Sequence, residues 1–120
     1  MYLVVDDSRM ARKMAVKNLS LLVGEDKNIR EATNGLEAVT LYKEKKPTLC
    51  LMDLTMPIMD GFEAIKEIRA FDKDAKIIVV SADIQEISMQ KAKENGAIGF
   101  IKKPVGNQNL KNMLTKLGLI

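Results

Sequence analysis

A five-stranded parallel sheet with helices on both faces is predicted by three observations on this chain. Short apolar runs alternate with segments whose apolar residues recur at helical spacing. The runs are rich in Val, Ile and Leu without polar alternation, as in strands covered on both faces. The connections between runs and helical segments are short, which makes βαβ units with right-handed crossovers.

The elements follow in order. Tyr2–Val5 is the first strand. Met10, Met14, Val16 and Leu19 mark the first helix, and Gly24 stops it. Ile29–Ala32 is a weaker second strand. Leu36, Val39 and Tyr42 mark the second helix, which ends at Lys46-Pro47. Leu49–Met52 is the third strand, and Phe62, Ile65 and Ile68 mark the helix after it. Ile77–Val80 is the fourth strand. A more polar fourth helix holds Ile87, Lys91 and Lys93 to Asn95, and Asn95-Gly96 ends it. Phe100–Ile101 is a weak fifth strand, and Leu110, Met113, Leu114 and Leu117 mark the last helix. Three helix starts carry a polar residue followed three positions later by Glu: Asn34 with Glu37, Asp60 with Glu63 and Asp83 with Glu86. Each pair is expected to cap reciprocally.

Composition narrows the class. At 120 residues and 13.4 kDa the chain is expected to form one domain over 1–120, able to bury a core without disulfides. The net charge of +3 is small, and the lysines are spread among acids. This reads as solvated helix faces rather than a nucleic-acid footprint. With no signal pattern and no long apolar run, a soluble cytoplasmic protein without membrane insertion is expected. The lone Cys50 lies in an apolar strand and reads as core. The chain has no histidine, which excludes His-based zinc sites, Ser-His-Asp triads and a phosphohistidine of its own.

In parallel sheets of this kind ligands bind beyond the carboxyl ends of the strands. There the chain places Asp6-Asp7 after the first strand and Asp53 after the third. Ser81 stands after the fourth strand, and Lys102-Lys103-Pro104 after the fifth. Two bare carboxylates about 4 Å apart repel by roughly 4 kcal/mol at an effective dielectric near 20. Protonation or a divalent cation would relieve that repulsion. A small set of hard oxygen ligands suits Mg2+, which commonly brings a phosphate into its shell. Lys103 and Ser81 supply the cation and the hydroxyl a phosphate would want. Ser81 and a carboxylate are both candidate acceptors of a phosphoryl group. No base stands ready for Ser81, whereas a carboxylate is already anionic, and among the acids Asp53, alone at the end of the central strand, is the favoured acceptor. Asp60 reads as a cap, and Met52, Met56 and Met59 as packing.

The stretches "VVDDS" at 4–8, "LMDLTMPIMDGFEAI" at 51–65, "VVSA" at 79–82 and "FIKKP" at 100–104 closely resemble the receiver domain of two-component response regulators, in the family's order and spacing. The resemblance implies a doubly wound, flavodoxin-like (βα)5 fold of strand order 2-1-3-4-5, the known order of the family's chemotaxis member. It implies that a sensor histidine kinase phosphorylates Asp53, and that the domain catalyses its own phosphorylation and dephosphorylation without being an enzyme on an external substrate. Asp7 and Asp53 would bind Mg2+ through their carboxylates, Thr55 through its carbonyl and Asp6 largely through water. Ser81 and Lys103 would bond the phosphoryl oxygens, and the Lys103-Pro104 bond would be cis. Ser81 and Phe100 would form the switch that alters the face of the fourth helix, fifth strand and fifth helix, where an output protein binds. A phosphatase is a further implied partner. Phe100 departs from the family's frequent Tyr, and Thr55 and Asp83 stand where the family tunes phosphoryl lifetime.

Two other classes compete. An aspartyl-nucleophile phosphohydrolase would want an acid where Thr55 stands. An FMN carrier would want a Ser/Thr-rich loop after the first strand and aromatic residues, which make up only 4% of the chain. The chain ends shortly after its fifth helix, as a stand-alone regulator of the chemotaxis type would, or a receiver cut from a longer regulator.

Overall fold

The computed structural model describes residues 1–82 and 85–120. Five strands alternate with five helices: β1 Tyr2–Val5, α1 Arg9–Val23, β2 Ile29–Ala32, α2 Gly35–Lys45, β3 Leu49–Met52, α3 Gly61–Phe71, β4 Ile77–Ser81, α4 Glu86–Asn95, β5 Gly99–Lys102 and α5 Asn107–Lys116. The strands pair in parallel in the order β2-β1-β3-β4-β5. Both the element types and the strand order match expectation.

Side chains alternate across a strand, and here the alternation divides one core into two. Leu3, Val5, Cys50, Met52, Ile77 and Val79 face α2, α3 and α4, packing on Val39, Tyr42, Ile65, Ile68 and Ala92. Tyr2, Val4, Leu49, Leu51, Ile78 and Val80 face α1 and α5, packing on Leu19, Leu110 and Leu114. The strands therefore lack polar alternation because both faces are covered. The edge strands β2 and β5 are the exceptions: Arg30 and Lys102 are exposed and Glu31 is half-buried.

Three helical stripes sit differently from the sequence reading. Met10 and Met14 are exposed, and α1 instead buries Ala15 and Leu19, four residues apart. Leu36 and Ile87 are likewise exposed. In each case a small residue, Ala15, Ala38 or Ala92, is buried where the larger one is not, while Leu19, Val39 and Tyr42 are buried as expected. The stops stand where expected: Gly24 and Gly96 have positive φ, and Lys46 turns left-handed before Pro47.

The caps are only half reciprocal. Asn34 Oδ1 accepts the Glu37 N–H and Asp60 Oδ1 accepts the Glu63 N–H, both at 2.9 Å. Glu37 reaches back one residue further than a capping box, accepting the Thr33 N–H at 2.8 Å and the Thr33 hydroxyl at 3.0 Å. Asp83 lies outside the described residues; α4 starts at Glu86 with Gln85 in the cap position. No helix among the described residues is long and apolar enough to cross a membrane.

Candidate functional site

The site forms where β1 and β3 end side by side. Val5 pairs with Met52, so the next residues, Asp6 and Asp53, emerge together at the carboxyl edge. Asp53 N–H donates to the Val5 carbonyl at 2.9 Å, which extends the ladder by one residue. The chain leaves β1 toward β2 on one side, then returns to β3 on the other. This reversal opens the crevice in which such sheets bind ligands.

Carboxylate oxygens of Asp6, Asp7 and Asp53 all lie within 4.8 Å of one another. Asp6 and Asp53 are buried and Asp7 is exposed. The first helical turn leaves the acids free for this role, because Ser8 is the N-cap of α1 and accepts the Ala11 N–H at 3.2 Å. Asp6 Oδ1 accepts the Ser8 N–H at 2.9 Å.

β5 brings the cation. Lys103 Nζ stands 2.6 Å from Asp6 Oδ2 and 3.4 Å from Asp53 Oδ1. Its backbone N–H donates to the Ser81 carbonyl at 2.9 Å, which carries the β4–β5 ladder to the site. The Lys103-Pro104 bond is cis. Lys102 is exposed and Lys103 half-buried, so one of two adjacent lysines serves the cluster. Ser81 is buried at the end of β4. Thr55 is exposed on the loop after Asp53. Phe100 on β5 is half-buried and packs against the core on the α2–α4 side.

Burial pushes the Asp53 carboxyl up to about 6, with the Asp6 charge adding to the rise and Lys103 opposing it. Burial works to lower the Lys103 ammonium, and its bonds to Asp6 and Asp53 more than offset this, so its pKa is raised. The donor set is all oxygen and anionic, and its charge exceeds what one lysine neutralises. These residues fit a hard divalent cation of the Mg2+ type.

Comparison with known proteins then decides the family. Residues 2–115 match the response regulator receiver domain. The chain belongs to this family. The chemotaxis protein CheY of Thermotoga maritima is 44% identical, over 96% of this chain and 94% of its own length. CheY of Halobacterium salinarum is 46% identical over 85% of this chain and 82% of its own. Among solved structures, the CheX–CheY–BeF3–Mg2+ complex of Borrelia burgdorferi contains a chain that superposes with a TM-score of 0.89 at 31% identity. That match covers 99% of this chain and 89% of the other. The receiver is a phosphorylation-dependent signalling switch homologous to CheY. The phosphohydrolase reading is not favoured.

Several contributors to the receiver site carry no chemical signature in the sequence. Gly61 reads as a helix-entry residue, yet a methyl group there would overlap the Asp53 carbonyl oxygen and stand 2.8 Å from Leu54 Cα. Its N–H donates to the Leu54 carbonyl at 2.9 Å. The first residue of α3 thus packs directly beneath the site. Gly35 is similar: a methyl there would lie 2.5 Å from the Met59 carbonyl oxygen. Close backbone approach could have been suspected from a glycine at a helix start, but its partner could not. Cys50 is fully buried, and burial pushes its thiol up to about 12, which fits an inert core residue.

Proposed function

We propose that the receiver unit, residues 1–120, carries a phosphoryl group on Asp53, received from a sensor histidine kinase, and passes the change to an output protein. The observation that carries this reading is the meeting of Asp6, Asp7 and Asp53 carboxylates within 4.8 Å, with Lys103 Nζ facing two of them. Asp7, Asp53 and the Thr55 carbonyl would hold Mg2+ directly and Asp6 largely through water. When bound, the ion supplies positive charge to the phosphoryl oxygens.

The residues have separate tasks. Asp53 Oδ1 accepts the Leu54 N–H at 2.9 Å and faces Lys103, which fixes the plane of the carboxylate. Oδ2 gives the electron pair that forms the O–P bond. The P–N bond of the donor phosphohistidine breaks with its pair on the imidazole. Lys103 and Ser81 then bond the phosphoryl oxygens. This assistance makes the receiver a catalyst of its own phosphorylation and dephosphorylation rather than an enzyme acting on a separate substrate. Kinase and any phosphatase meet it in the cytoplasm.

Ser81 is backbone-paired to β5, so its movement toward a phosphate is coupled to Phe100 and the α4–β5–α5 face. The grooves beside Phe100 toward α5 and α3 are lined by Met89, Met113, Lys93, Lys102 and Lys116, whereas Glu86 and Glu94 line the one along α4. The apolar and basic lining on the α5 side suits an output segment with apolar anchors and acidic flanks. The likeness to CheY proteins supports a pathway of the chemotaxis or motility type.

Incubation with a small-molecule phosphodonor and Mg2+, followed by intact mass, tests the chemistry. Wild type should gain one phosphoryl group and Asp53→Asn none. A wild type that never gains mass, or an Asp53→Asn variant that does, overturns the assignment.

A further inference from the structure

Asp7 is the exposed acid of the cluster, and its backbone aims it. The peptide group before it carries the Asp6 carbonyl, which accepts Arg12 Nη1–H at 2.8 Å. The peptide group after it carries the Ser8 N–H, which donates to Asp6 Oδ1 at 2.9 Å. Peptide groups are planar, so pinning both neighbours fixes the φ and ψ of the residue between them. The direction of the Asp7 Cα–Cβ bond follows.

Arg12 is itself held. Its Nε donates to Glu31 Oε1 at 3.1 Å, and its side chain is 13% exposed. Glu31 lies on β2 opposite Val4 of β1, so the anchor is fixed by the sheet register. Lys13 takes the other Glu31 oxygen at 3.1 Å. Burial works to raise the Glu31 carboxyl, and the bonds from Lys13 and Arg12 more than offset this, so it stays charged at neutral pH. β2 ends in a turn without a reactive group, and through Glu31 and Arg12 it still reaches the site.

We infer that Arg12 is a positioning residue for the divalent-cation site: anchored by Glu31, it fixes the peptide before Asp7 and so sets how the Asp7 carboxylate meets the ion. This rests on reading the acid cluster as a cation site. Two features separate it from a plain tie between α1 and β2. Arg12 bonds a carbonyl, not the cluster's carboxylates, so it does not compete with the ion for ligands as Lys103 does. Removing its charge would, by Coulomb's law alone, tighten Mg2+ binding. Loss of positioning weakens it, so the sign of the change distinguishes the two.

The test is calorimetric titration with Mg2+ at pH 8, with thermal unfolding in chelator as the measure of folding. Arg12→Met should bind Mg2+ about tenfold more weakly than wild type, as loss of partners that orient metal ligands does. Arg12→Lys keeps the charge but cannot serve Glu31 and the Asp6 carbonyl together, and should also weaken binding severalfold. Lys13→Met, which loses its bond to Glu31 but leaves the Arg12 contacts, should stay within about twofold. Unchanged or tighter binding in a folded Arg12→Met overturns the inference; if that variant does not fold, unchanged binding in Arg12→Lys does so. Wild type that binds no Mg2+ overturns the cation-site reading, whereas wild-type binding with no effect of either Arg12 variant overturns this inference alone.

Discussion

Asp6 holds the Lys103 ammonium more closely than Asp53 does, at 2.6 Å against 3.4 Å. The lysine thus occupies the oxygens that a divalent cation needs, and it repels that cation. Lys103→Met removes both effects. We expect Mg2+ to bind severalfold more tightly at pH 8, where proton competition is small. Calorimetric titration measures this, and affinity equal to or below that of wild type would count against Lys103 as a competing charge.

Protons compete for the same oxygens. Asp53 is raised to about 6 by burial and by Asp6, against Lys103. A protonated Asp53 must lose its proton to bind the ion. Mg2+ affinity should therefore be flat above about pH 7 and fall about tenfold per unit below pH 6. The same shift has a consequence for folding. A carboxyl raised in the folded state binds its proton more tightly there than in the unfolded chain, so metal-free stability falls as pH rises from about 4 to 6. Asp53→Asn should then stabilise the metal-free protein by about 1–2 kcal/mol at pH 7.5, after allowance for screening, and by little at pH 4. Urea titrations at the two pH values read the difference.

Gly61→Ala tests the floor of the site. The added methyl meets backbone atoms of Asp53 and Leu54 rather than the end of a flexible side chain. Relief requires α3 to move away from β3, or the Asp53 peptide to rotate. We expect a loss of about 2–4 kcal/mol in urea unfolding and slower labelling of Asp53 by a phosphodonor. A variant as stable as wild type would show that the close approach is not enforced.

Thr55 is exposed on the loop two residues beyond Asp53. Thr55→Ala should change the rate of spontaneous dephosphorylation by about twofold to tenfold without abolishing phosphorylation, since only packing near the attack path is altered. Asp83→Ala, at the position two residues beyond Ser81, should act similarly. Loss of label over time, followed by mass, provides the rates. Unchanged decay in both variants would remove these residues from lifetime control.

The legible part of the fold was the part set by period and punctuation. β1, β3 and β4 are apolar runs bounded by polar residues, and β2 and β5 were the weaker runs because they are the edge strands and are partly exposed. Helix stripes were misjudged where large residues lie outward. Met10, Met14, Leu36 and Ile87 drew attention that belonged to Ala15, Ala38 and Ala92, because volume in a sequence is not burial. The acid cluster was legible because three carboxylates, a hydroxyl and an amine all stand at the carboxyl ends of the strands, the edge where such sheets bind ligands. Arg12 and Gly61 were not, because each acts on a backbone group that only the folded chain brings near.

A buried phenol gives the last prediction. Tyr42 on α2 is 1% exposed, and its hydroxyl donates to Asp72 Oδ2 at 2.6 Å across to the end of α3. Burial first, then the Asp72 charge, pushes the Tyr42 phenol up. The bond from Tyr42 chiefly holds the Asp72 carboxyl below the usual range. Tyr42→Phe keeps the ring, its packing in the core and its edge contact with Phe71, and removes only the hydroxyl. A hydrogen bond to a charged, partly exposed acceptor contributes about 1–2 kcal/mol. A depressed carboxyl stabilises the fold above its unfolded pKa near 4 and loses that contribution as pH falls through the folded value. The wild-type advantage should thus be full at pH 7 and shrink below pH 4. The bond sits on the α2–α3 side, away from the acid cluster, so Asp53 labelling should be unchanged. Urea unfolding at pH 7 and pH 3 measures the first effect, and an advantage independent of pH would show that Asp72 is not the partner whose charge matters.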